Sequence, residues 1–317
     1  MKQISLRLSA SILCCASVVA AWSTPALALT SSDTAHQEKQ EIIHQHSTDD
    51  KAAQQTQEKH ELATWQHDLG LMYLSGQGVT KDLAKAFEWL NKAAHQGLAT
   101  SQHNLGLMYA NGDGMAKDET KAFEWFYKAA SQGFSLSQHA LGLMYANGHG
   151  IVKDETKAFA WFHKAANQGL ANSQHTLGML YANENGNFHN EAKAFEWFHK
   201  AAVQGFVASQ YIVALMYANG SGTSKDLTKA LKWLNMAAVA GHGQAMTTLA
   251  RWHHQGVLGE KNLIIAYIWF DLAGEHGQNN AHQLRDGVAS QLSQSDIIKA
   301  KEIAKNWRKG QAITTDK

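Results

Sequence analysis

Histidine is the side chain here best suited to chemistry near neutral pH, and four of the histidines fall in a regular column. His67, His103, His139 and His175 are 36 residues apart, and Tyr211 takes the next place. Imidazole can ligate a metal, relay a proton or hydrogen-bond a ligand. A zinc site needs its donors about 2 Å from one ion. Packed helices lie about 8–10 Å apart, so one histidine per helix does not converge on such a point. His253 and His254 diverge on a helix, and His44 and His46 lie in a polar stretch. No metal and no cofactor is therefore expected. Other catalytic signatures are missing as well. The chain has no Gly-x-Ser-x-Gly elbow, no His-Glu-x-x-His helix, no phosphate loop ending in Gly-Lys-Ser/Thr, and no Ser-x-x-Lys pair. The only cysteines are Cys14 and Cys15. No catalytic residue is assigned.

The elements that position the histidines follow from an internal repeat. Gly70, Gly106, Gly142 and Gly178 share the same 36-residue step, continued by Ala214 and Ala250. Trp89, Trp125, Trp161, Trp197, Trp233 and Trp269 keep it, as do Gly97, Gly133, Gly169, Gly205, Gly241 and Gly277. Within one copy, Leu105, Met108 and Tyr109 stand at i, i+3 and i+4 and form an apolar helical stripe. Asn111-Gly112-Asp113-Gly114 breaks that helix, and Asp118 is placed to cap the next. The second helix carries Ala122, Phe123, Trp125, Phe126, Ala129 and Ala130, and Gly133 ends it. A helix pair this short cannot bury its apolar face alone, but stacked copies share one core. The copies run from about Leu62 to Gly277, and no alternating strand pattern interrupts them.

These motifs carry a family resemblance. Leu105-Gly106-Leu107-Met108-Tyr109, Gly112-Asp113-Gly114, Lys117-Asp118 and Ala122-Phe123-Glu124-Trp125 look like the Sel1-like repeat, a relative of the tetratricopeptide repeat. The likeness covers about two-thirds of the chain and is specific for fold far more than for function. It implies an all-α protein: a right-handed α-solenoid of six 36-residue helix-turn-helix repeats with a concave binding surface. Two copies depart from the pattern. In the fourth, Glu184 replaces the first turn glycine and His189-Asn190 replaces Lys-Asp. In the sixth, Leu258 replaces the second turn glycine and Arg251-Trp252-His253 replaces the usual apolar-Met-Tyr end. Beyond the repeats, Ser293-Gln294-Ser295-Asp296 opens a helix whose Ile297, Ala300, Ala304 and Trp307 share a face. Residues 279–317 are thus expected to form a C-terminal capping helix and tail that seal the core.

In related tetratricopeptide repeats the histidine side of the first helix lines the concave groove. His103 lies about 160° around the helix from Leu105. The positions on its side give the columns Leu71, Leu107, Leu143, Met179 and Leu215, then Asn111, Asn147, Asn183 and Asn219. Together with His67, His103, His139, His175 and Tyr211 they form a candidate strip for a protein or peptide. Amides can satisfy a peptide backbone, and leucines give apolar contact. In the competing reading the leucines pack on the next copy and the asparagines only end helices before glycine.

The N-terminus bears on location. Lys2 and Arg7, the apolar run Leu8 to Ala21, and Ala26-Leu27-Ala28 read as a secretory signal over 1–28, cut after Ala28. The protein is then periplasmic or secreted, with no later membrane span and no cysteine. Loss of Lys2 and Arg7 moves the formal charge from +1 to −1. That balance offers no basic footprint for nucleic acid. Residues 29–61 are polar, and a stretch that buries so little is expected to be a flexible tether, with a frayed helix running into the first repeat as the alternative for its lower half. The reading reached is a non-catalytic interaction scaffold or adaptor of the bacterial envelope. The alternative is a β-lactamase-like or peptidoglycan-acting envelope hydrolase. Some cysteine-rich Sel1-like proteins are described as β-lactamase-like, and this chain resembles those in repeat architecture only.

Overall fold

A computed structural model describes residues 32–257 and 259–313, with side-chain surroundings for residue 51 and from residue 53 onward. The signal segment, the first tether residues 29–31, Leu258 and the last four residues lie outside the described residues. The chain divides into two units, Met1–Thr56 and Gln57–Lys317. In the first, the described residues are all helical. They belong to α1 (Ser32–Ser75), a helix that runs on into the first repeat. Between Ser32 and Leu69 there is no glycine or proline, and Ala, Glu, Gln and Lys are good helix formers. Ala53 to Leu62 are all exposed, in keeping with their low apolar content.

The second unit contains the end of α1 and a run of helix pairs. These are α2 (Leu83–His95), α3 (Ala99–Asn111), α4 (Glu119–Ser131), α5 (Ser135–Asn147), α6 (Glu155–Asn167) and α7 (Ala171–Ala182). Then follow α8 (Glu191–Val203), α9 (Val207–Asn219), α10 (Leu227–Val239), α11 (Gly243–Gln255) and α12 (Leu263–Glu275). The end is α13 (Ala281–Ala289) and α14 (Gln294–Asn306). No strand occurs among the described residues. The closing segment holds two helices where one was expected. α14 packs on α12, with Ala300 and Ala304 buried and Trp307 edge-on to Trp269 and His276.

Local chemistry explains the boundaries. Asp82, Asp118, Asp154 and Asp226 each accept the backbone N–H three residues on, at 2.9–3.0 Å. Asn190 does the same at 2.9 Å, so the fourth copy keeps its cap despite the changed sequence. Its preceding turn does change. α7 ends one residue early at an extended Asn183, and Phe188 stacks on Phe159 with centroids 4.2 Å apart. In the second, third and fifth copies the second turn glycine, Gly114, Gly150 or Gly222, faces the previous copy. A Cβ on Gly114, whose φ is +81°, would stand 2.5 Å from the Leu83 carbonyl oxygen. Only glycine fits there.

The core lies between helices of each pair and between neighbouring pairs. Gly106, Gly142 and Gly178 let the rings of Phe126, Phe162 and Phe198 lie against the helix backbone. Trp125, Trp197 and Trp269 are buried, while Trp89, Trp161 and Trp233 are partly so. A polar ladder runs through the seams. Gln102 Nε2 donates to the Ala94 carbonyl of the previous copy at 3.1 Å. Its Oε1 accepts from Gln132 at 2.7 Å. Gln138 repeats both bonds with Ala130 and Gln168, and Gln174 with Ala166 and Gln204. At Gln210 the bond to Ala202 persists, but Ala240 stands where a glutamine is needed. Gln210 Oε1 is left buried without a protein partner.

Candidate functional site

The candidate strip lies on the first helix of each pair: the end of α1, then α3, α5, α7 and α9. The structure sorts its three columns into different roles. Leu71, Leu107, Leu143 and Met179 are 36, 41, 43 and 52% exposed, and Leu215 is partly buried. They recur in register on the face turned from the core stripe, where Leu105 and Leu141 are fully buried. Leu136, one helical turn before His139, adds further apolar surface. Single exposed leucines are unremarkable, whereas a column of them is the kind of surface that partners cover.

The histidines are drawn into the seams between copies, which differs from a strip facing outward. Nδ1 of His67 is 2.8 Å from Ser101 Oγ, and His103 pairs with Ser137 at 2.9 Å. His139 and His175 pair with Ser173 and Ser209 at 2.8 Å. Each of these serines belongs to the next copy and is buried. The His103 ring also rests against Phe126 and Phe134. Burial holds His139 and His175 below the usual imidazole range and pushes His103 down to about 4. For His67 burial outweighs the opposing charge of Asp68. Charging such rings means desolvating a cation, so the fold favours their neutral form. Tyr211 continues the column with a 3.4 Å contact to Thr248 and a ring contact to His242. These side chains couple copy to copy and leave only part of each ring accessible.

The asparagines take an intermediate place. Asn111, Asn147 and Asn219 are exposed last-turn residues, each followed by a left-handed glycine. Asn111 donates to Asp113 at 3.1 Å. Asn183 is itself the C-cap, and its Oδ1 accepts from the Asn185 N–H at 3.2 Å. They shape the turns and stand at the rim of the leucine column. Sequence reasoning missed the glutamine ladder and the histidine–serine bonds. The signal was present, since Ser-Gln-His recurs at 101–103, 137–139 and 173–175. Such a tripeptide in strict phase marks polar groups bonded across the stack.

Among the described residues no cluster of three or more His, Cys, Asp or Glu is placed to hold a metal ion. No described helix is long and apolar enough to cross a membrane.

Comparison with known proteins agrees with this geometry. The chain is similar to a protective antigen of uropathogenic Escherichia coli strains that displays an SLR fold, with 29% identity and a TM-score of 0.68. That likeness covers 80% of this chain, which spans 58% of the other. It is also similar to a Sel1 repeat protein from Oxalobacter formigenes, 32% identical, with a TM-score of 0.59, over 68% of this chain and 86% of that one. No curated protein matches the chain. The Sel1 repeat model matches residues 66–98, 99–134, 135–170, 171–206, 207–242 and 243–278, the same six units that the caps, seams and ladder delimit, and the chain therefore belongs to the Sel1 repeat family.

Proposed function

We propose that this chain is a non-catalytic scaffold that holds a protein or peptide along the exposed leucine–methionine column of its repeats. The observation that carries the reading is that column. Leu71, Leu107, Leu143 and Met179 stay exposed at matching positions, while the leucines two residues before the last three, Leu105, Leu141 and Leu177, are fully buried. Solenoids present such continuous faces to extended partners, and Sel1 repeat proteins generally act as protein-interaction scaffolds. The hydrolase alternative draws on no group among the described residues.

The test uses the column itself, because the histidines are committed to the seams. Leu107→Glu with Leu143→Glu places two charges on the face at positions where glutamate keeps the helix. Partners captured by the wild-type chain from envelope extract should be lost by the double variant, with the melting temperature within about 3 °C, as for surface changes. Unchanged capture sinks the groove assignment.

We also propose that the protein acts outside the cytoplasm, supported by the n-region, the apolar run and Ala26-Leu27-Ala28. Mass spectrometry of the protein from its own cells should find Leu29 as the first residue. A chain retaining Met1 overturns export by this signal.

A further inference from the structure

The exposed column changes character at its last position. Stepping by 36 residues from Leu215 leads to Arg251, and one step further to Gly287. Gly287 lies in α13, which follows α12 as a seventh first helix would but has 9 residues where α11 has 13. A Cβ built on Gly287 meets nothing within 4 Å. Beside it opens a cleft of about 660 Å³ between α11 and α13. Phe270, Leu284 and Val288 supply its apolar lining, and Arg251, His254 and Gln283 are among its polar groups.

The charge of this cleft is one-sided. No aspartate or glutamate lines it. Arg251 is exposed and has no ion-pair partner among the described residues. The neighbouring carboxylate, Asp286, is held by Arg285 at 2.8 Å. Amides stand close by. Gln291 Nε2 is 3.4 Å from His254 Nε2, and the Asn280 side chain does not cap α13. A guanidinium without a partner, amide donors and an apolar floor suit one chemical group well: a carboxylate carried next to an apolar side chain.

We propose that this cleft captures the free C-terminal carboxylate of a peptide lying along the groove, with Arg251 as its ionic partner and the apolar floor taking its last side chain. The assignment rests on the groove reading above and adds a polarity to it: the bound chain ends at the last repeat. A backbone carboxylate differs from an aspartate or glutamate in lying one bond from its own Cα. It therefore places its side chain on the floor while its oxygens reach Arg251. Arginine offers a planar fork that binds both oxygens at once, which lysine does not.

The experiment exposes the purified full chain to two arrays of random octapeptides, one with free C-terminal carboxylates and one with amidated C-termini. The wild type should prefer the free form by about tenfold or more, the scale of one charge-assisted contact. The selected peptides should end in an apolar residue. Arg251→Gln should erase the preference. Gly287→Leu should erase it too, by filling the cleft, and its open surroundings and helical backbone let the variant fold. Circular dichroism on both variants should match the wild type. Equal binding of both arrays, lost in the Leu107→Glu/Leu143→Glu variant, overturns terminal capture and leaves the groove standing. Arg251-dependent binding of amidated peptides through internal Asp or Glu overturns it as well. Binding to neither array removes both readings.

Discussion

Phe162→Ala is expected to destabilise the array by about 3–5 kcal/mol, the usual cost of emptying a buried aromatic site. The ring is 2% exposed. It lies against the backbone of Gly142 and is 5.3 Å from the His139 ring, centroid to centroid. It thus joins the two helices of one pair beneath the bond that ties His139 to the next copy. Gly142→Ala attacks the same contact from the other side. The added methyl would stand 2.5 Å from a ring carbon of Phe162. Alanine gains up to about 1 kcal/mol in helix propensity over glycine, while overpacking costs about 1–3 kcal/mol. With the ring hemmed in, overpacking should win. In the double variant the methyl enters space vacated by the ring. Its loss should therefore be smaller than the sum of the single losses, by about 0.5–3 kcal/mol. Denaturant unfolding of the four chains measures this cycle. Strict additivity, or a Phe162→Ala loss under about 0.5 kcal/mol, contradicts the packing.

The parts of this molecule that were legible in the sequence are those where one residue type serves one purpose in most copies and a close substitute serves it in the rest. Glycine at 106, 142 and 178, aspartate before the second helix, and tryptophan within it each recur because a single steric or capping demand recurs. The copy number, the helix pairs and their boundaries follow from such marks. Legibility fails where residue type and role separate. Ser32 to about His60 is polar, which reports on burial and says little about whether a backbone free of glycine and proline will coil. Gln102 and its counterparts are polar yet buried, since a bond to the previous copy and another to their own copy replace water. Periodicity alone assigns such a residue to solvent. The angle that sets the histidines away from Leu105 on their own helix is legible in the sequence. It cannot say that the neighbouring copy arrives on the same side and closes over the ring. The cleft beside Arg251 needed both kinds of information. The arginine was visible as a break in the pattern, but the space beside it depends on Gly287, which lies in phase beyond the last recognisable copy.

Stability is expected to fall as the pH drops from about 6.5 toward 4, and the partly buried histidines are the reason: the four of the seams, with His199, His242 and His253 acting in the same direction. His67, His103, His139 and His175 all have folded values below the ordinary imidazole value of 6.5, with burial the largest cause. The unfolded chain takes up protons as the pH passes below 6.5, whereas the folded chain resists. Each group's contribution is therefore fully present above 6.5 and is lost as the pH falls toward the folded value. For His103 that value is about 4, so its loss is spread over that window and levels off below it. The shift would correspond to about 3 kcal/mol in a dry site. The ring is only partly buried, and solvent screening reduces this to about 1–2 kcal/mol. The other three act in the same direction through the same kind of bond to a serine of the next copy. A second loss belongs to lower pH. The capping carboxylates of Asp82, Asp118, Asp154 and Asp226 are held below 3.8, chiefly by backbone N–H groups. They stabilise above 3.8 and cease to do so below it. The two windows separate the two causes. His103→Gln removes one titrating group while keeping a side chain able to hydrogen-bond Ser137. Between pH 7 and 4 the variant should lose about 1–2 kcal/mol less than the wild type, and below pH 3.8 the curves should run parallel. Denaturant unfolding across this range is the measurement. A wild-type curve flat from 7 to 4, or an identical drop in the variant, would show that the seam histidines accept protons as freely as exposed ones.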